Sequence, residues 1–419
     1  MTPPLAPPPK KDPQRRTRQP TAPTAARSRA ALGLAAAAAE GRFMLQVCGE
    51  CGAVQYPPRD ACARCLSVDL PWRDVAPEGR MIAETTVRIS SGVYFRERSP
   101  WRVGVVQLDA GPTVICHVHG DVERGGPVQL AIKLDKSGQG VLFALPPDPT
   151  PDMADDPELR EMTCDPKHRR VLIADGRNEN AAALARALKE AGASMIFVGE
   201  AESWRPNPNR EALAAIEGVE ILPLDVTDTR SVQSLAGEIG GKTDILVNNA
   251  RFVRPGGIFE RGDTTFAREE LEVNVLGMMR LAQAFGPAMR GRSADGVNSA
   301  VAWVNILSVY AHSNWPAYGA FSAASAGALS LSQCLRAEMQ AGGIRVMNVH
   351  TGPTDDEWHQ PLPPPKVAPA ALAKAVVAGL RDGLEDVVVG DVAEDVIDRW
   401  RAGPKILEKE LAASGGDGQ

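Results

Sequence analysis

The amino-acid sequence predicts a multidomain protein, in which a cysteine-rich knuckle and a small β-domain precede an α/β domain with a doubly wound parallel sheet. Three observations lead to this prediction. Four cysteines form two CxxC pairs between residues 48 and 65, and short alternating runs follow to about residue 145. From residue 169, strand-like and helix-like segments alternate. The 419 residues suffice for two or three domains, since single cores stop growing at about 250–300 residues.

Residues 1–43 form a basic arm rich in Pro and Ala, with eight Lys or Arg residues against Asp12 and Glu40. We expect this arm to be disordered in part. Its cations could contact ligand phosphates or an acidic partner; they include Lys10, Lys11, Arg15, Arg16 and Arg18. Because the whole chain has a net charge of -6, the remainder is distinctly acidic, which argues against a nucleic-acid-binding body.

No run approaches the roughly 18–20 apolar residues that are needed to span a bilayer. The longest candidate is the short "LGLAAAAA", and the basic arm lacks the apolar core of a secretory signal. We therefore expect a cytoplasmic protein without a membrane span.

The cysteine-rich knuckle, residues 44–70, contains "CGECGAVQYPPRDACARC". Two CxxC pairs can place four thiolates around one ion, and a closed set of four Cys ligands is typical of structural zinc. The predicted ligands are Cys48, Cys51, Cys62 and Cys65. An iron site or four free thiols are the alternatives. The remaining cysteines stand alone in the sequence, which favours core or surface roles; they are Cys116, Cys164 and Cys334.

The next segment, residues 71–146, contains the runs "RMIAETTVRI", "WRVGVVQLD" and "PTVICHVHG". Short strands at this spacing indicate a small antiparallel barrel or sandwich. Residues 147–168 are rich in Pro and Asp and have the composition of a linker.

Seven strand-like runs follow within residues 169–414: "RRVLIAD", "SMIFVGE", "VEILPLDV", "TDILVNN", "AVAWVNILS", "GIRVMNVHT" and "DVVVGD". Helical segments separate them, including a long helix at about 266–290 and an Ala/Ser-rich helix at 319–341. Strands that alternate with helices over this length indicate a parallel sheet covered on both faces.

The cysteine knuckle followed by Tyr56, Pro57 and Pro58 resembles an acyl-CoA-associated zinc-ribbon and OB-fold family, long labelled domain of unknown function thirty-five. The resemblance covers residues 30–146 and implies an OB-fold for the β-domain. It also implies a non-catalytic role beside a thiolase-like enzyme that handles acyl-CoA thioesters. Other OB-folds bind nucleic acids through aromatic and basic grooves. This β-domain is poor in both outside "VYFRERSPWRV", so we expect no nucleic-acid partner.

Residues 169–412 resemble the short-chain dehydrogenase/reductase (SDR) family. The matching motifs occur in the family's order: "LDVTD", "DILVNNA", "EVNVLG", "NILS" and "NVHTGPTDDEW". The resemblance implies a Rossmann-like fold and, for an intact member, NAD(P)-dependent oxidoreductase activity.

The cofactor turn departs from the family's TGxxxGxG pattern. Its glycine positions fall on Asp175, Glu179 and Ala181, and only Gly176 lies nearby. Glycines let backbone amides approach a pyrophosphate, whereas carboxylates repel it. The sequence therefore argues against NAD(P) binding.

Three further positions match cofactor contacts of the family: Glu200 for a ribose, Asp225 for the adenine amine and Asn248 for the start of the central NNAG turn. Without the glycines, we favour structural roles for them, such as helix capping by Asp225 and support of strand ends by Asn248.

The catalytic positions are also altered. The family's interval from Ser308 places Phe321 at the Tyr position and Ser325 at the Lys position. Tyr318 is the alternative, but it puts Ser322 at the Lys position, and no lysine occurs between Lys242 and Lys366. Ser308 and Asn274 remain, yet neither can accept an alcohol proton at neutral pH.

We therefore expect a pseudoenzyme that is not catalytic by itself. The expected role is a subunit that assembles with a thiolase-like or aldolase-like enzyme, or with an active SDR, in acyl-CoA metabolism, and that forms homo- or hetero-oligomers through helices 266–290 and 319–341. One alternative is an NAD(P)-dependent oxidoreductase for hydroxyacyl- or ketoacyl-CoA substrates. Another is ligand sensing in the remaining cleft, which Trp358 and His359 would border.

Overall fold

A computed structural model describes residues 1–9, 19–24, 28–201, 206–293, 299–360, 362 and 364–414. A short 3-10 turn leads into helix α1 (Leu32–Ala39), and the first sheet then pairs β1 (Met44–Val47) with β2 (Val54–Gln55) and β3 (Trp72–Asp74). The basic cluster Lys10, Lys11, Arg15, Arg16 and Arg18 lies outside the described residues.

The predicted β-domain is a closed five-stranded barrel in the order β4-β5-β6-β8-β7. Its strands are β4 (Glu78–Val87), β5 (Trp101–Leu108), β6 (Thr113–Val118), β7 (Pro127–Leu134) and β8 (Gly140–Leu145). A short helix, α2 (Val93–Glu97), joins β4 to β5. Every second residue of β7 is buried, as a strand with one face toward a core requires. The structure thus selects the barrel over the sandwich.

The segment that we expected to be a linker contains helix α3 (Pro157–Met162), whose first turn is capped by the carboxylate of Asp156. Asp156 Oδ2 also accepts a hydrogen bond from Gly120 N of the barrel at 2.9 Å. The described part of the N-terminal arm contacts the same region: Leu5 N donates to Asp155 Oδ2 at 2.9 Å, and Thr2 Oγ1 donates to Asp121 Oδ1 at 3.0 Å.

The α/β domain has a parallel seven-stranded sheet in the order β11-β10-β9-β12-β13-β14-β15. Its strands are β9 (Arg170–Ile173), β10 (Met195–Glu200), β11 (Val219–Pro223), β12 (Ile245–Asn248), β13 (Ala302–Ser308), β14 (Arg345–Thr351) and β15 (Asp386–Val389). All seven predicted strands are confirmed. Val171 and Ile173 pack into one core cluster and Leu172 into another, so both faces of the sheet are covered.

The helices of this domain are α4 (Ala181–Glu190), α5 (Arg210–Ala214), α6 (Thr229–Ile239), α7 (Thr265–Leu271), α8 (Met278–Gly291), α9 (Gly319–Gln340), α10 (Pro369–Asp382), α11 (Asp391–Ala402) and α12 (Pro404–Ser414). A π-helical turn, Glu272–Gly277, joins α7 to α8, so the predicted long helix is continuous. Among the described residues, no helix is long and apolar enough to cross a membrane.

The order of the strands reverses between β9 and β12, because the chain adds β10 and β11 on one side and β13 to β15 on the other. Ligands of open α/β sheets bind in the crevice at the carboxyl ends of the strands beside such a switch point. The residues that follow β9, β12 and β14 therefore form the crevice where a site is expected.

Candidate functional site

The four predicted zinc ligands converge: the Sγ atoms of Cys48, Cys51, Cys62 and Cys65 all lie within 4.8 Å of one another. Each pair sits in the same backbone knuckle. Gly52 N donates to Cys48 O at 3.0 Å, and Leu66 N donates to Cys62 O at 3.0 Å. Both donors have a positive φ, 70° for Gly52 and 64° for Leu66.

The knuckles also place backbone N–H groups toward the sulfur atoms. Hydrogen bonds from Cys65 N and Arg64 N lower the pKa of Cys62 to about 6. A thiolate is the form that binds a metal ion. A tetrahedral ion with soft ligands, such as zinc, fits this set of four sulfur donors.

The turn after β9 is held by side-chain amides. Asp175 N donates to Asn249 Oδ1 and Asn249 Nδ2 donates to Asp175 O, both at 2.8 Å. Asn178 Nδ2 adds a hydrogen bond to Asn249 O at 3.0 Å. These contacts join the turn to the residue that follows β12.

Gly176 allows the turn after β9 to pack closely against the neighbouring strand β10. A Cβ atom at this position would lie 2.7 Å from Val198 Cγ1 and 3.0 Å from Gly199 O. Gly176 N donates to Gly199 O at 2.7 Å. The glycine is therefore required by the close approach to β10.

A side chain that the sequence analysis overlooked, Arg251, spans the crevice. Its Nη2 atom lies 2.5 Å from Glu179 Oε1 and 2.6 Å from Asp356 Oδ2. Its Nη1 atom donates to Thr354 Oγ1 at 2.8 Å. We call this set of ion pairs the Arg251 bridge. It ties the turn before α4 to the loop after β14.

The bridge continues to His359, whose Nδ1 atom lies 2.8 Å from Asp356 Oδ2. Burial alone would raise the pKa of Asp356, but the hydrogen bond with His359 and the charge of Arg251 outweigh burial and hold that pKa well below its usual range. Asp356 also accepts hydrogen bonds from Trp358 N and His359 N, so it caps the short 3-10 helix Glu357–His359. Glu179 and Asp356 thus share one arginine, and Asp356 has His359 as a second partner.

Two of the three further cofactor-like positions have partners of their own, and the third has an unsatisfied atom. Glu200 is ion-paired with Arg210 and accepts from Asn207 Nδ2 at 2.9 Å. Asp225 Oδ1 accepts from Thr227 N at 2.8 Å. Asn248 Nδ2 donates to Asn305 Oδ1 at 3.3 Å, while the buried Oδ1 of Asn248 has no partner among the described residues.

The catalytic helix α9 buries both altered positions. Phe321 is 2% exposed and packs edge-on against Tyr310 with 6.0 Å between ring centroids. Ser325 is 4% exposed. The alternative Tyr318 is also buried, and its hydroxyl donates to Trp358 O at 2.9 Å. Burial raises the pKa of Tyr318.

The two remaining family residues have structural contacts. Ser308 Oγ accepts from Tyr310 N at 3.2 Å, which caps the 3-10 turn after β13. Asn274 bonds to both backbone groups of Phe252: its Oδ1 accepts from Phe252 N at 3.0 Å and its Nδ2 donates to Phe252 O at 2.8 Å. Hence Asn274 fixes the segment that follows the Arg251 bridge.

Sequence reasoning missed Arg251, Asp356 and Tyr310. One signal was visible, since Arg251 directly follows "NNA", where the family motif has a glycine. Nothing in the sequence showed that its partners would be Glu179 and Asp356.

Three family models match consecutive parts of the chain. Residues 35–70 match the ChsH2 rubredoxin-like zinc ribbon domain, and residues 72–133 match the ChsH2 C-terminal OB-fold domain. Residues 180–384 match the model described as enoyl-(acyl carrier protein) reductase.

Curated relatives match about half of the chain. A short chain dehydrogenase, tazN, of Aspergillus terreus is 31% identical over 206 residues, which cover 48% of this chain and 44% of that protein. An uncharacterized oxidoreductase of Mycobacterium tuberculosis is 30% identical over 193 residues, which cover 44% of this chain and 54% of that protein. The chain thus spans about half the length of the curated relatives it matches.

Among solved structures, a short chain dehydrogenase from Burkholderia cenocepacia in complex with NADP is 28% identical, with a TM-score of 0.52. The match covers 58% of this chain and 98% of that one. Together with the parallel sheet and the barrel, the matches show the architecture of the protein. The chain joins a ChsH2-type zinc ribbon and OB-fold domain to a domain of the short-chain dehydrogenase/reductase family.

Proposed function

We propose that this protein is a non-catalytic subunit that assembles with a thiolase-like or aldolase-like enzyme, or with an active SDR, in acyl-CoA metabolism. The observation that carries the non-catalytic part is the Arg251 bridge. Arg251 is engaged by Glu179 and Asp356 in the crevice where a dinucleotide would bind.

A dinucleotide would have to break this bridge. Its pyrophosphate would approach the Glu179 carboxylate and the half-buried Asp175, and like charges repel strongly in a crevice with little water. Displacing Arg251 would also leave the buried Asp356 with one cationic partner fewer. The residues of the crevice therefore do not suit NAD(P).

The proton chemistry supports the same proposal. Phe321 carries no ionisable proton, and the Tyr318 hydroxyl already donates a hydrogen bond to the backbone carbonyl of Trp358. Burial raises the pKa of Tyr318, whereas a catalytic base must have a pKa near the working pH.

Titration with NADH and NADPH, followed by nicotinamide fluorescence, tests the crevice. We expect no saturable binding at millimolar concentration, because the Arg251 bridge and the carboxylates exclude the pyrophosphate. The Glu179→Gly/Arg251→Gly double variant is the matched comparison, since it removes the bridge and restores two glycines of the family pattern. Micromolar binding by the unaltered protein would contradict the proposal.

A second candidate function has specific support. The match to the enoyl-(acyl carrier protein) reductase model and the similarity to an NADP-bound dehydrogenase favour an NAD(P)-dependent oxidoreductase for hydroxyacyl- or ketoacyl-CoA substrates. Such an enzyme would use Tyr318. NADPH oxidation with a ketoacyl-CoA that Tyr318→Phe abolishes would favour this function; activity that is unchanged in the variant would exclude Tyr318.

The choice of partner rests on the ribbon and barrel, because their resemblance to the acyl-CoA-associated zinc-ribbon and OB-fold family implies a thiolase-like partner. The ChsH2 zinc ribbon and OB-fold models match the same part of the chain. Affinity purification from the native host, with mass spectrometry of the bound proteins, tests the assembly. A thiolase-like, aldolase-like or SDR enzyme at fixed stoichiometry is expected. A solitary protein would overturn the proposal.

Zinc is the proposed ion of the cysteine cluster, in a structural role. Metal analysis of the purified protein should give one zinc per chain, and Cys62→Ser should lose it together with thermal stability, since structural zinc contributes directly to folding. The exposed Cys334 offers the control, and Cys334→Ser should keep both. Stoichiometric iron, or full stability after chelation, would contradict this assignment.

A further inference from the structure

Helix α3 lies between the barrel and the α/β domain and contacts both. Its capping residue Asp156 accepts a hydrogen bond from the barrel. At the other end, Cys164 N donates to Leu380 O of α10 at 2.8 Å. A Cβ atom at Gly383 would lie 2.3 Å from Met162 O, so the end of α3 packs directly on the end of α10. A change in the contact between α3 and the barrel would therefore alter the link between the two domains.

Most of the contact between α3 and the barrel is apolar. Leu159 and Met162 are buried and pack in one cluster with Trp101 and Phe143 of the barrel. Glu158 lies in the same interface and is 7% exposed. A carboxyl group is therefore buried where α3 meets the barrel.

The carboxyl group of Glu158 has few hydrogen-bond donors. Its Oε1 atom accepts from Arg102 N, whereas its Oε2 atom is buried and has no partner among the described residues. The first turn of α3 offers no further donor, because Glu158 N and Leu159 N already donate to Asp156 Oδ1 at 3.0 and 2.9 Å. An unpaired charge costs far more to bury than a neutral hydroxyl group, so the site suits a protonated carboxyl group.

The charges that face Glu158 do not compensate an ionised carboxylate. Asp156 adds a negative charge, and the guanidinium group of Arg102 is paired with Glu84 and donates to His119 O at 2.8 Å. Both ring nitrogens of His119 have backbone partners. Burial, together with the charge of Asp156, raises the pKa of Glu158 to about 8, although the hydrogen bond from Arg102 N opposes this shift.

We propose that the contact between α3 and the barrel is a pH-dependent switch, in which protonated Glu158 holds α3 on the barrel and loss of the proton releases it. A carboxyl group whose pKa is higher in the docked than in the released state contributes stability that is fully present below about pH 4. This contribution is lost as pH rises through about 8. The switch rests on the contacts of α3 and is independent of the proposed function.

The buried charges on the other side of α3 would have a different pH dependence. Burial lowers the pKa of Lys136, which has Glu161 as its nearest compensating charge. A lysine with a lowered pKa favours the folded state as pH rises, which is the opposite sign. Burial alone would raise the pKa of Glu161, but the charges of Lys136 and Arg98 hold that pKa below its usual value. A loss of docking at high pH would thus point to Glu158.

Hydrogen exchange of the full-length protein, measured by mass spectrometry at pH 6.5 and 9.0, tests the switch. Protection is expressed relative to the intrinsic exchange rate at each pH. The peptide 153–164 should lose protection roughly thirtyfold at pH 9.0, as follows from a pKa of about 8 when docked and about 4.3 when released. Strand β13 is the internal reference and should keep its protection. Equal protection of peptide 153–164 at both pH values would overturn the proposal.

Neutral variants of Glu158 separate its titration from a general effect of pH. Glu158→Gln and Glu158→Met should each give the same protection of peptide 153–164 at pH 6.5 and 9.0, whatever their absolute stability. Glu190→Gln is the control, because it removes an exposed carboxylate of α4 and should retain the loss at pH 9.0. A loss that persists in both Glu158 variants would assign the pH dependence to another group and exclude the switch.

Discussion

At the scale of single residues, Leu66 is the clearest point of strain. It has a φ of 64° and is 78% exposed, so its side chain contributes little packing to offset the left-handed backbone. The equivalent residue of the other knuckle is Gly52, with a φ of 70°. The backbone of each knuckle takes a left-handed conformation at this position, which glycine adopts easily and leucine adopts with strain.

Leu66→Gly should therefore stabilise the protein by up to about 1 kcal/mol, as relief of left-handed strain outweighs the greater freedom of glycine in the unfolded chain. Thermal unfolding of the zinc-loaded protein measures the effect. Val68→Gly is a control, because Val68 is also exposed, at 81%, but its φ is not positive. A lower melting temperature for Leu66→Gly would show that the exposed leucine has a contact beyond this chain.

Asp175 is the second informative residue, because burial raises its pKa to about 6. A carboxyl group whose pKa is higher in the folded than in the unfolded state binds protons more tightly when folded. Its contribution therefore becomes less favourable as pH rises from about 4, the unfolded value, through 6, and stays unfavourable above it.

Asp175→Asn should then raise the free energy of unfolding at pH 7 by about 1 kcal/mol and have no such effect below pH 4. The Asn side chain can still accept the hydrogen bond from Arg177 N that Asp175 Oδ1 accepts at 2.9 Å. Urea unfolding at several pH values measures the difference. An equal increase in the free energy of unfolding at pH 4 and pH 7 would contradict a raised pKa of Asp175 as its cause.

At the scale of secondary-structure elements, the Arg251 bridge joins three loops. These loops follow β9, β12 and β14, and Arg251 pairs with a carboxylate on each of the other two loops. A bound dinucleotide could contact the same loops in an intact family member. In this protein the ion pairs of Arg251 join the three loops.

Arg251→Met should cost about 3 kcal/mol, because removing one partner of a buried ion pair leaves the other charge uncompensated. Asp356 retains its contact with His359, so Glu179 loses more of its compensation than Asp356 does. Urea unfolding measures the change. Arg399→Met removes two exposed ion pairs, with Asp395 and Glu410, and should cost less than about 1 kcal/mol. Equal costs for the two variants would show that the bridge contributes no more than a surface pair.

At the scale of the whole molecule, helices α8 and α9 present a groove whose lining includes Met278, Met279, Ala282, Leu335 and Met339. Met279 is 42% exposed, and Phe266 and Leu271 on α7 are each 46% exposed. Exposed apolar side chains that cluster on adjacent helices indicate an interaction surface. We propose that subunits pair through this surface.

Met279→Glu should shift the protein toward the monomer, because a charge at a packed apolar interface is desolvated without a partner. Light scattering after size-exclusion chromatography measures the oligomeric state. Ile406→Glu, at a residue of α12 that is 66% exposed, is the control. An unchanged mass for Met279→Glu would place the interface elsewhere.

The domains also meet through the segment 147–168, which has the composition of a linker. Composition predicted a flexible connection, because Pro and Asp are common in loops. In the structure, Asp155, Asp156 and Glu158 are buried there, and Asp156 both caps α3 and accepts a hydrogen bond from the barrel. Pro and Asp are equally typical of the first turn of a helix. Composition alone therefore does not separate a flexible linker from a helix start, whereas packing against the barrel does.

The sequence by itself determined the features that depend on short-range spacing or on the absence of a residue. Two CxxC pairs predict one cluster because each pair already places its thiols together, and buried apolar runs predict the strands of a sheet covered on both faces. The missing lysine of the catalytic helix is also a property of the sequence alone.

Only the tertiary structure decided which charges meet. Arg251 lies 72 residues from Glu179 and 105 residues from Asp356 along the chain, and Lys136 of the barrel meets Glu161 of α3. Such groups come together because parallel strands align their carboxyl ends and because α3 packs against the barrel. The two residues of such an ion pair have no characteristic spacing in the sequence, so only the fold shows which charges pair.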